Sequence, residues 1–219
     1  FIAGTPLFEG QQVFAANDAV VATLEQHGRL IKHESIQHSY PHCWRHKSPV
    51  IFRATPQWFV GMTRNHLLAT ARKAIENVEF VPAWGRARME AMLDARPDWC
   101  ISRQRTWGVP LPVFYDDKNE PILDPAVINK VAEVFSEKGT NSWFELDDAA
   151  WAALVGLPAG STRRNDTLDV WIDSGLSHET VLRQRPELAF PADLYLAATD
   201  QHRGWFQSSL LQSCGTRGR

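Results

Sequence analysis

The 219-residue sequence is poor in cysteine and has no long apolar run. Its three cysteines, Cys43, Cys100 and Cys214, are odd in number and widely spaced, which argues against a disulfide framework and favours a reducing compartment. No apolar run approaches the roughly 20 residues of a transmembrane helix, and the first residues lack the basic region of a secretory signal peptide. We therefore expect a cytoplasmic protein without membrane contact.

An initiator methionine is also missing, and the sequence stops abruptly at GTRGR (215–219). These two features predict an internal piece of a longer protein. An excess of charge of one sign is missing as well, because 23 Lys and Arg residues nearly balance 25 Asp and Glu residues. The net charge of −2 excludes a uniformly basic nucleic-acid-binding protein but allows local basic patches.

Tryptophan, in contrast, is abundant. The hydrophobic fraction of 44% and the charged fraction of 22% are those of an ordinary globular protein, and they argue against disorder, collagen or a coiled coil. Most of the nine tryptophans lie in polar strings that carry Arg or Asp rather than in apolar runs. That placement is unusual for residues that only fill a core.

Apolar residues recur at helical spacing in several stretches and predict helices there. The predicted helices cover about 17–27, 65–77, 85–95, 127–135 and 151–155. Asn17 is the expected N-cap of the first helix, and Gly28 its C-terminal glycine. Residues 109–123 predict a pair of strands, residues 1–16 predict strand and loop, and residues 156–165 predict a linker.

The most regular segment is the last one. Leu194–Ala198 form an unbroken apolar run, which is typical of a strand buried on both faces. Thr199 or Asp200 then caps a predicted helix that ends near Ser213. Strand, polar turn and helix form half of a βαβ unit, and ligands bind at the carboxyl ends of such strands.

Four strings combine residues that can carry chemistry. The first, residues 37–59, overlaps the stretch from Arg29 to Arg53, which contains five Lys or Arg residues interleaved with aromatics. This pattern suits stacking on bases and contact with phosphates. Cys43 and His46 have a C-x-x-H spacing. A zinc site needs about four ligands, and no second pair with this spacing exists, so zinc is not expected and a buried Cys beside a surface His is favoured.

The second string, residues 98–112, places Arg103, Gln104 and Arg105 between Trp99 and Trp107. Arginine offers a planar fork for phosphate, and glutamine can bond a base edge or a sugar hydroxyl. A strand with solvated arginines and core tryptophans explains the same residues equally well.

The third string, residues 166–178, contains Asp169, Asp173, Ser174 and His178, which suggest a hydrolase or a metal site. Ser174 does not lie in a G-x-S-x-G elbow, so a catalytic triad is weakly supported. Trp171, flanked by carboxylates, could instead pack on the apolar tail of a ligand that also carries an ammonium group.

The fourth string, residues 193–206, brings Asp200, Gln201, His202 and Arg203 to the predicted strand-to-helix corner. A helix N-terminus there favours an anion, and Trp205 can face the same site. A capped helix with a core tryptophan is the competing interpretation, and the clustering of four polar residues favours a site.

Taken in order, the four strings resemble the middle part of class I isoleucyl-tRNA synthetases. The string DWCISRQRTWG is shared in looser form by the valine and leucine enzymes, whereas LDVWIDSG and DQHRGWF are more specific for the isoleucine enzyme. The resemblance implies an α/β fold: part of a Rossmann-type catalytic domain joined to the end of its β-rich editing insertion. Residues 1–50 would end that insertion, 51–165 would connect back, and 166–219 would form an incomplete second half of the Rossmann catalytic segment.

The resemblance also implies an activity. The family joins isoleucine to ATP, with Mg²⁺ as cofactor, and then transfers the acyl group to tRNA(Ile). By position, Trp171 and Trp205 would wall the isoleucine pocket, and Arg103, Gln104 and Arg105 would guide the tRNA acceptor end. The residues expected along the adenylate are Asp200, Gln201 and His202.

The sequence departs from the family in two respects. The two phosphate-handling motifs of the family, His-x-Gly-His and Lys-Met-Ser-Lys-Ser, are absent from these 219 residues, so we assign no catalytic residue and no metal ligand and expect the chain alone to be inactive. Ala197 and Ala198 also stand where the family usually has Glu-Gly, and that Glu contacts the adenylate.

Three alternatives stay open on the sequence alone. A valyl- or leucyl-tRNA synthetase is the nearest of them. A noncatalytic RNA-binding module would explain the basic strings, and a metal hydrolase would use Cys43, His46 and the aspartates near 169–173.

Overall fold

The computed structural model describes residues 1–218 and divides into two compact units, Phe1–Ala54 and a second unit that begins at Thr55. The first unit holds one helix, α1 (Asn17–Gln26). The predicted cap is wrong, because Ala16 is the N-cap and no side chain caps the helix. The predicted C-terminal glycine is confirmed: Gly28 has φ +63°, a conformation that glycine adopts without steric cost.

The remainder of the first unit is irregular. Residues 1–16 form turns rather than the expected strand, and the only pairing within residues 1–54 is an isolated antiparallel bridge between His42 and Pro49. Ile31 is fully exposed. Apolar side chains in this unit therefore have few neighbours to pack against, and Ala16 is its one buried residue.

The second unit contains short strands and most of the helices. The strands are β1 (Phe59–Val60), β2 (Trp99–Cys100), β3 (Ser102–Arg103), β4 (Phe114–Tyr115), β5 (Pro121–Ile122), β6 (Thr162–Arg163) and β7 (Thr167–Leu168). The helices are α2 (Leu67–Ile75), α3 (Gly85–Asp94), α4 (Pro125–Lys138), α5 (Ser142–Glu145), α6 (Asp148–Val155), α7 (Val170–Gly175) and α8 (Trp205–Arg217). Three shorter helical turns cover Arg64–His66, His178–Leu182 and Thr199–Arg203.

The strands pair only in small antiparallel sheets. β1 pairs with β2, β3 pairs with β7, and β4 lies between β5 and β6. The β4–β5 pair confirms the strand pair predicted over 109–123. The predicted linker over 156–165 is wrong in part, because β6 lies within it and pairs with β4 in the register Phe114 to Arg163.

The helix ends are capped most clearly in α4 and α6. Asp124 caps α4 by accepting from the Ala126 N–H at 2.8 Å, and Pro125 occupies the first helical position, where its missing N–H costs nothing. Asp147 caps α6 through the Ala150 N–H at 2.8 Å, and Gly156 ends that helix in the left-handed conformation. The helices predicted from apolar periodicity are all present, with ends shifted by a few residues.

The second unit has two main apolar cores. One joins α2, α3 and α8, and its buried residues are Met62, Leu67, Ala71, Ile75, Met89, Leu93, Trp99, Leu211 and Cys214. The other joins β4 with α4, α5 and α6, and its buried residues are Phe114, Val127, Val131, Val134, Trp143, Trp151 and Val155. A smaller cluster holds Leu111, Val113 and Tyr115.

The predicted buried strand at Leu194–Ala198 is wrong. This segment has no regular secondary structure, and Leu194 and Leu196 are 74% and 82% exposed. A strand needs a neighbouring strand to accept its backbone hydrogen bonds, and none of the described strands pairs with this segment. The helix predicted after it is also divided, since a 3₁₀ turn at Thr199–Arg203 precedes α8 and Gly204 separates the two.

None of the helices in residues 1–218 is both long and apolar enough to cross a lipid bilayer.

Candidate functional site

The site predicted from the third and fourth strings lies where α7 packs on α8. Gly175, the last residue of α7, is buried against α8: a Cβ there would lie 2.9 Å from the Ser208 backbone. Glycine thus permits the two helices to approach closely. Gln212 of α8 strengthens the contact by donating to the Trp171 and Ile172 carbonyls at 3.3 and 3.2 Å. The close approach at Gly175 and the Gln212 side chain therefore hold α7, in the third string, against α8, which begins in the fourth.

Trp171 lies in the first turn of α7 and is 37% exposed. Its ring abuts the residue just before α8, because a Cβ on Gly204 would lie 2.8 Å from Trp171 Cη2. Any side chain at position 204 would therefore displace the indole. The structure thus places Trp171 beside the start of the helix that begins with Trp205.

Trp205 is half-buried and held from three directions. Its backbone N–H donates to Gln201 Oε1 at 2.9 Å, and its indole Nε1–H donates to Ser177 Oγ at 3.1 Å. Its ring stacks on Tyr195, with ring centroids 4.6 Å apart and an interplanar angle of 23°. Neither Ser177 nor Tyr195 was assigned a site role from the sequence, and no spacing signal would have identified them.

The three residues expected along an adenylate separate into two environments. Asp200 is exposed and accepts from Gln201 Nε2 at 2.9 Å, so both polar groups lie near the surface beside Trp205. His202 is buried instead. Its Nδ1 lies 2.8 Å from the Thr199 carbonyl oxygen, and its ring makes an edge contact with Phe206 at 5.4 Å between centroids. Only the first two are therefore accessible to a ligand at the surface.

The second string also separates into two environments. Arg103 forms an ion pair with Asp169 at 2.9 Å, and its Nη1 donates to the Cys100 and Ser102 carbonyls at 2.9 and 2.8 Å. Gln104 and Arg105 lie in the irregular segment that follows β3 and are exposed. Gln104 Nε2 donates to Asp166 Oδ1 at 3.1 Å. Within residues 1–218, Arg105 has no hydrogen-bond or ion-pair partner.

A polar pocket of about 280 Å³ lies between the second, third and fourth strings. Its charged lining residues are Arg96, Arg103, Arg203, Asp98 and Asp169, and Trp171 and Gly204 form part of its wall. Burial lowers the pKa of the Arg96 guanidinium, which the nearby Asp169 charge partly offsets. Arg96 donates to Gln207 Oε1 at 2.6 Å and lies over the Trp99 ring. The pocket therefore carries a small excess of positive charge.

Comparison with known proteins identifies the family of this chain. A family model described as class I tRNA synthetases (I, L, M and V) matches residues 9–219. The chain belongs to the class I tRNA synthetases. This match confirms the resemblance predicted from the four strings. The structure, with its helices and small sheets, is a mixed helix and sheet part of such an enzyme.

Individual members of this family show which synthetases the chain resembles in sequence. The isoleucine–tRNA ligases of Methylococcus capsulatus and Nitrosococcus oceani are 52% and 50% identical to this synthetase chain, and each match covers 100% of the chain. That of Chromobacterium violaceum is 51% identical over 98% of the chain. The chain spans about a quarter of the length of these curated relatives, 23% to 24%. Valyl and leucyl enzymes are therefore not favoured as the nearest relatives.

The hydrolase alternative lacks the required geometry in this synthetase chain. Ser174 Oγ donates to the Val170 carbonyl at 3.3 Å, while the buried His178 ring has no hydrogen-bond partner for either nitrogen among the described residues. Burial lowers the pKa of His178, and the Arg217 charge lowers it further. A general base would need to lie within hydrogen-bond reach of the hydroxyl that it activates.

The side chains that could bind a metal ion include Cys43 and His46 together with the carboxylates of the chain. Cys43 Sγ lies 3.4 Å from His46 Nδ1, but residues 1–218 contain no cluster of three or more His, Cys, Asp or Glu side chains that could hold an ion. Among the described residues, the Cys43–His46 pair therefore lacks the further ligands that a zinc site needs. The Mg²⁺ that the synthetase family implies is usually held by one or two carboxylates together with substrate phosphates, and the described residues do not form a protein cage for it.

Proposed function

We propose that this synthetase chain forms the amino-acid pocket and part of the tRNA-facing surface of an enzyme that activates isoleucine with ATP and transfers it to tRNA(Ile). The observation that carries the proposal is the junction of α7 and α8. It brings Trp171 and Trp205, 34 positions apart in the sequence, to the same place in a chain whose relatives are named isoleucine–tRNA ligases. Indole faces suit a branched aliphatic side chain.

The proposed reaction requires positioning and charge stabilisation more than covalent chemistry by side chains. The isoleucine carboxylate attacks the α-phosphate of ATP, pyrophosphate leaves, and a ribose hydroxyl of the terminal tRNA adenosine then attacks the carbonyl and displaces AMP. In the proposed pose the side chains of the exposed Asp200 and the half-buried Gln201 lie along the adenylate. His202 acts behind them, since its burial leaves it to support the 3₁₀ turn that carries both.

The pocket walls explain a need for editing in such an enzyme. Valine is one methylene smaller than isoleucine, and this difference is worth only about 1–3 kcal/mol in an apolar pocket, a limit for which the isoleucine enzyme is itself the known example. Two indole walls exclude larger side chains but not a smaller one. In the proposed domain organisation, residues 1–50 end the editing insertion, 51–165 connect back, and 166–219 enter the second half of a Rossmann-type catalytic domain.

The proposed tRNA partner rests on two exposed groups of residues. In the second unit, Arg105 is exposed and has no partner in the described chain. In the first unit, Trp44 is largely exposed, and the Arg45 guanidinium lies 4.8 Å from the centre of its ring. Exposed arginines and aromatic faces contact phosphates and unstacked bases.

The proposed compartment is a reducing cytoplasm, because all three cysteines are thiols in the structure.

A chimera tests the proposed activity. The matching segment of the Methylococcus capsulatus relative is replaced by this chain, and isoleucine-dependent ATP–pyrophosphate exchange is measured for the chimera and for the isolated 219 residues. We expect exchange by the chimera and none above background by the isolated chain, which lacks both phosphate-handling motifs. A chimera that prefers valine to isoleucine, or an active isolated chain, would contradict the proposal.

Trp205→Ala in the same chimera tests the pocket. We expect the KM for isoleucine to rise and the preference for isoleucine over other amino acids to fall, while the KM for ATP changes less, because the ring contacts the side-chain pocket in this proposal. A higher KM for ATP with an unchanged KM for isoleucine would show that Trp205 is misplaced.

The Ala197 and Ala198 pair predicts in addition a weaker adenylate contact than in relatives with Glu-Gly, since the alanine side chain cannot accept a ribose hydrogen bond.

A further inference from the structure

Asp169 is the point at which three parts of the second unit meet. It is buried, with 5% of its surface exposed, and its Oδ2 accepts from Trp99 Nε1 at 2.8 Å. The same oxygen lies 2.9 Å from Arg103 Nη2. A buried carboxylate is costly unless it is paired and hydrogen-bonded, and here one indole and one guanidinium supply both requirements.

The other contacts of Asp169 lead directly to Trp171. Asp169 Oδ1 accepts from the Trp171 backbone N–H at 3.3 Å and so caps α7. Its carbonyl accepts from the Ile172 N–H at 2.8 Å, and its own N–H donates to the Ile101 carbonyl at 2.7 Å. Side chain and backbone of this one residue therefore tie the start of α7 to the segment that contains β2 and β3.

Arg103 completes the connection from the opposite side. While Nη2 pairs with Asp169, Nη1 donates to the Cys100 and Ser102 carbonyls. The planar guanidinium fork can make these contacts simultaneously, and a lysine ammonium on a flexible stem cannot reproduce them. Arg103 therefore uses both Nη groups for contacts within the chain, whereas the exposed Arg105 two residues later has no such partner among the described residues.

We propose that Asp169 and Arg103 are positioning residues that set the orientation of Trp171, and through it the selectivity of the isoleucine pocket. This inference rests on the proposed function. The orientation of the Trp171 side chain is restricted, because its ring contacts Gly204 on one side and its backbone N–H is hydrogen-bonded to Asp169. A small rotation of α7 would either press the indole into α8 or open the pocket. Arg103 thus acts through Asp169 rather than on a phosphate.

The test uses the chimera with Asp169→Asn, a change that keeps the size of the side chain and removes its charge. We expect the KM for isoleucine to rise about tenfold, the size of effect that follows loss of a hydrogen bond to a charged group. The KM for ATP should stay within about twofold, and the ratio of isoleucine to valine exchange should fall. Arg103→Ala should reproduce this pattern, and Arg103→Lys should restore it only in part.

A matched control comes from a second Arg–Asp pair in the same unit. Arg72 and Asp94 form an ion pair in which both side chains are about half exposed, so Asp94→Asn should leave both KM values unchanged. Thermal unfolding of each variant, followed by circular dichroism, identifies any variant that is unfolded at the assay temperature. If Asp169→Asn does not fold, Arg103→Lys carries the same test.

The outcomes separate the two proposals. An unmutated chimera without isoleucine-dependent exchange refutes the proposed function. An active chimera in which Asp169→Asn raises both KM values equally, or neither, refutes the positioning role alone. If Arg103→Ala leaves exchange intact and raises only the KM for tRNA in aminoacylation, Arg103 contacts tRNA directly and the positioning role is overturned.

Discussion

Two pairs of tryptophans in the second unit occupy opposite kinds of environment. Trp143 and Trp151 are fully buried in the core formed by β4 with α4, α5 and α6, with ring centroids 5.0 Å apart. Their indole N–H groups donate to backbone carbonyls, of Arg164 at 3.1 Å and of Ser142 at 3.0 Å. Trp171 and Trp205 keep exposed surface and lie where α7 packs on α8. We expect the first pair to contribute mainly to stability and the second mainly to ligand selection.

The difference shows what distinguishes a core tryptophan from one available to a ligand. The core pair is surrounded on all sides, since Phe114 and Phe135 pack edge-on against Trp143 at 5.4 and 6.1 Å. The other pair is only partly enclosed: Gly204 lies against the Trp171 ring, and the Tyr195 ring and the Ser177 hydroxyl contact Trp205. Both indoles keep part of their surface exposed. Mutations can therefore test the two roles separately.

The largest effect is expected for Trp151→Ala. Removing this fully buried ring should lower the free energy of unfolding by about 3–5 kcal/mol, because the cavity cannot be refilled by its packed neighbours. Trp171→Ala should cost less than half of that, since its ring is already 37% exposed. Urea unfolding of the 219-residue chain followed by circular dichroism gives both values. Equal losses for the two variants would erase the distinction between the pairs.

The next largest effect is expected for Gly175→Ala. The new Cβ would lie 2.9 Å from the Ser208 backbone, so α7 and α8 must separate, at a cost of about 1–3 kcal/mol in the free energy of unfolding. Gly215→Ala in α8 is the matched control. Its Cβ would meet only Leu67 Cδ1 at 3.6 Å, an ordinary contact, and it should stabilise the helix by about 0.5–1 kcal/mol. A neutral Gly175→Ala would contradict the close approach.

A pH dependence of stability is expected near the junction of α7 and α8. Burial and the Arg217 charge lower the pKa of His178 in the folded chain, so below its ordinary pKa of about 6.5 the unfolded chain binds more protons than the folded one. The free energy of unfolding should therefore fall as the pH drops through 6.5 and level off below the folded pKa. His178→Phe should reduce this slope, measured by urea unfolding between pH 7.5 and about 5. A slope unchanged by that substitution would exclude His178 as its source.

The smallest effect is expected for Leu196→Ser in the irregular segment before the 3₁₀ turn. Because Leu196 is 82% exposed, the free energy of unfolding of the 219-residue chain should change by no more than about 0.5 kcal/mol. Leu211→Ser, in the core that joins α2, α3 and α8, should cost several times as much. A large loss for Leu196→Ser would mean that this run is buried after all, as its sequence suggests.

Local patterns predicted local structure well. The apolar repeats of α2, α3 and α4 and the glycine after α1, Gly28, identify elements whose causes lie within a few residues. The Leu194–Ala198 run was misassigned because burial of a strand depends on a partner strand, which a local window does not contain. Likewise β6 has only two residues, which is too short for an alternating apolar pattern to predict a strand.

The candidate site was predictable as a set of residue types but not as an arrangement. The four strings identified the family, and Trp171, Trp205, Asp200 and Gln201 lie close to the junction of α7 and α8 in the structure. The contacts that position these residues could not be predicted from the sequence. Trp99 and Asp169, for example, are 70 positions apart, and no periodicity links them. Arg103 and Arg105, two positions apart, look equivalent in sequence, although only Arg103 has its donors engaged.

The sequence by itself determined the family, the near balance of charge and the helices whose apolar faces repeat every three to four residues, because these depend on composition and short-range spacing. Only the tertiary structure decided which tryptophans are enclosed and which stay open. That outcome depends on contacts between distant segments, such as Gly175 against Ser208 and Trp171 against Gly204. Whether an indole is core or pocket wall is a property of what surrounds it, and those surroundings form only when the chain has folded.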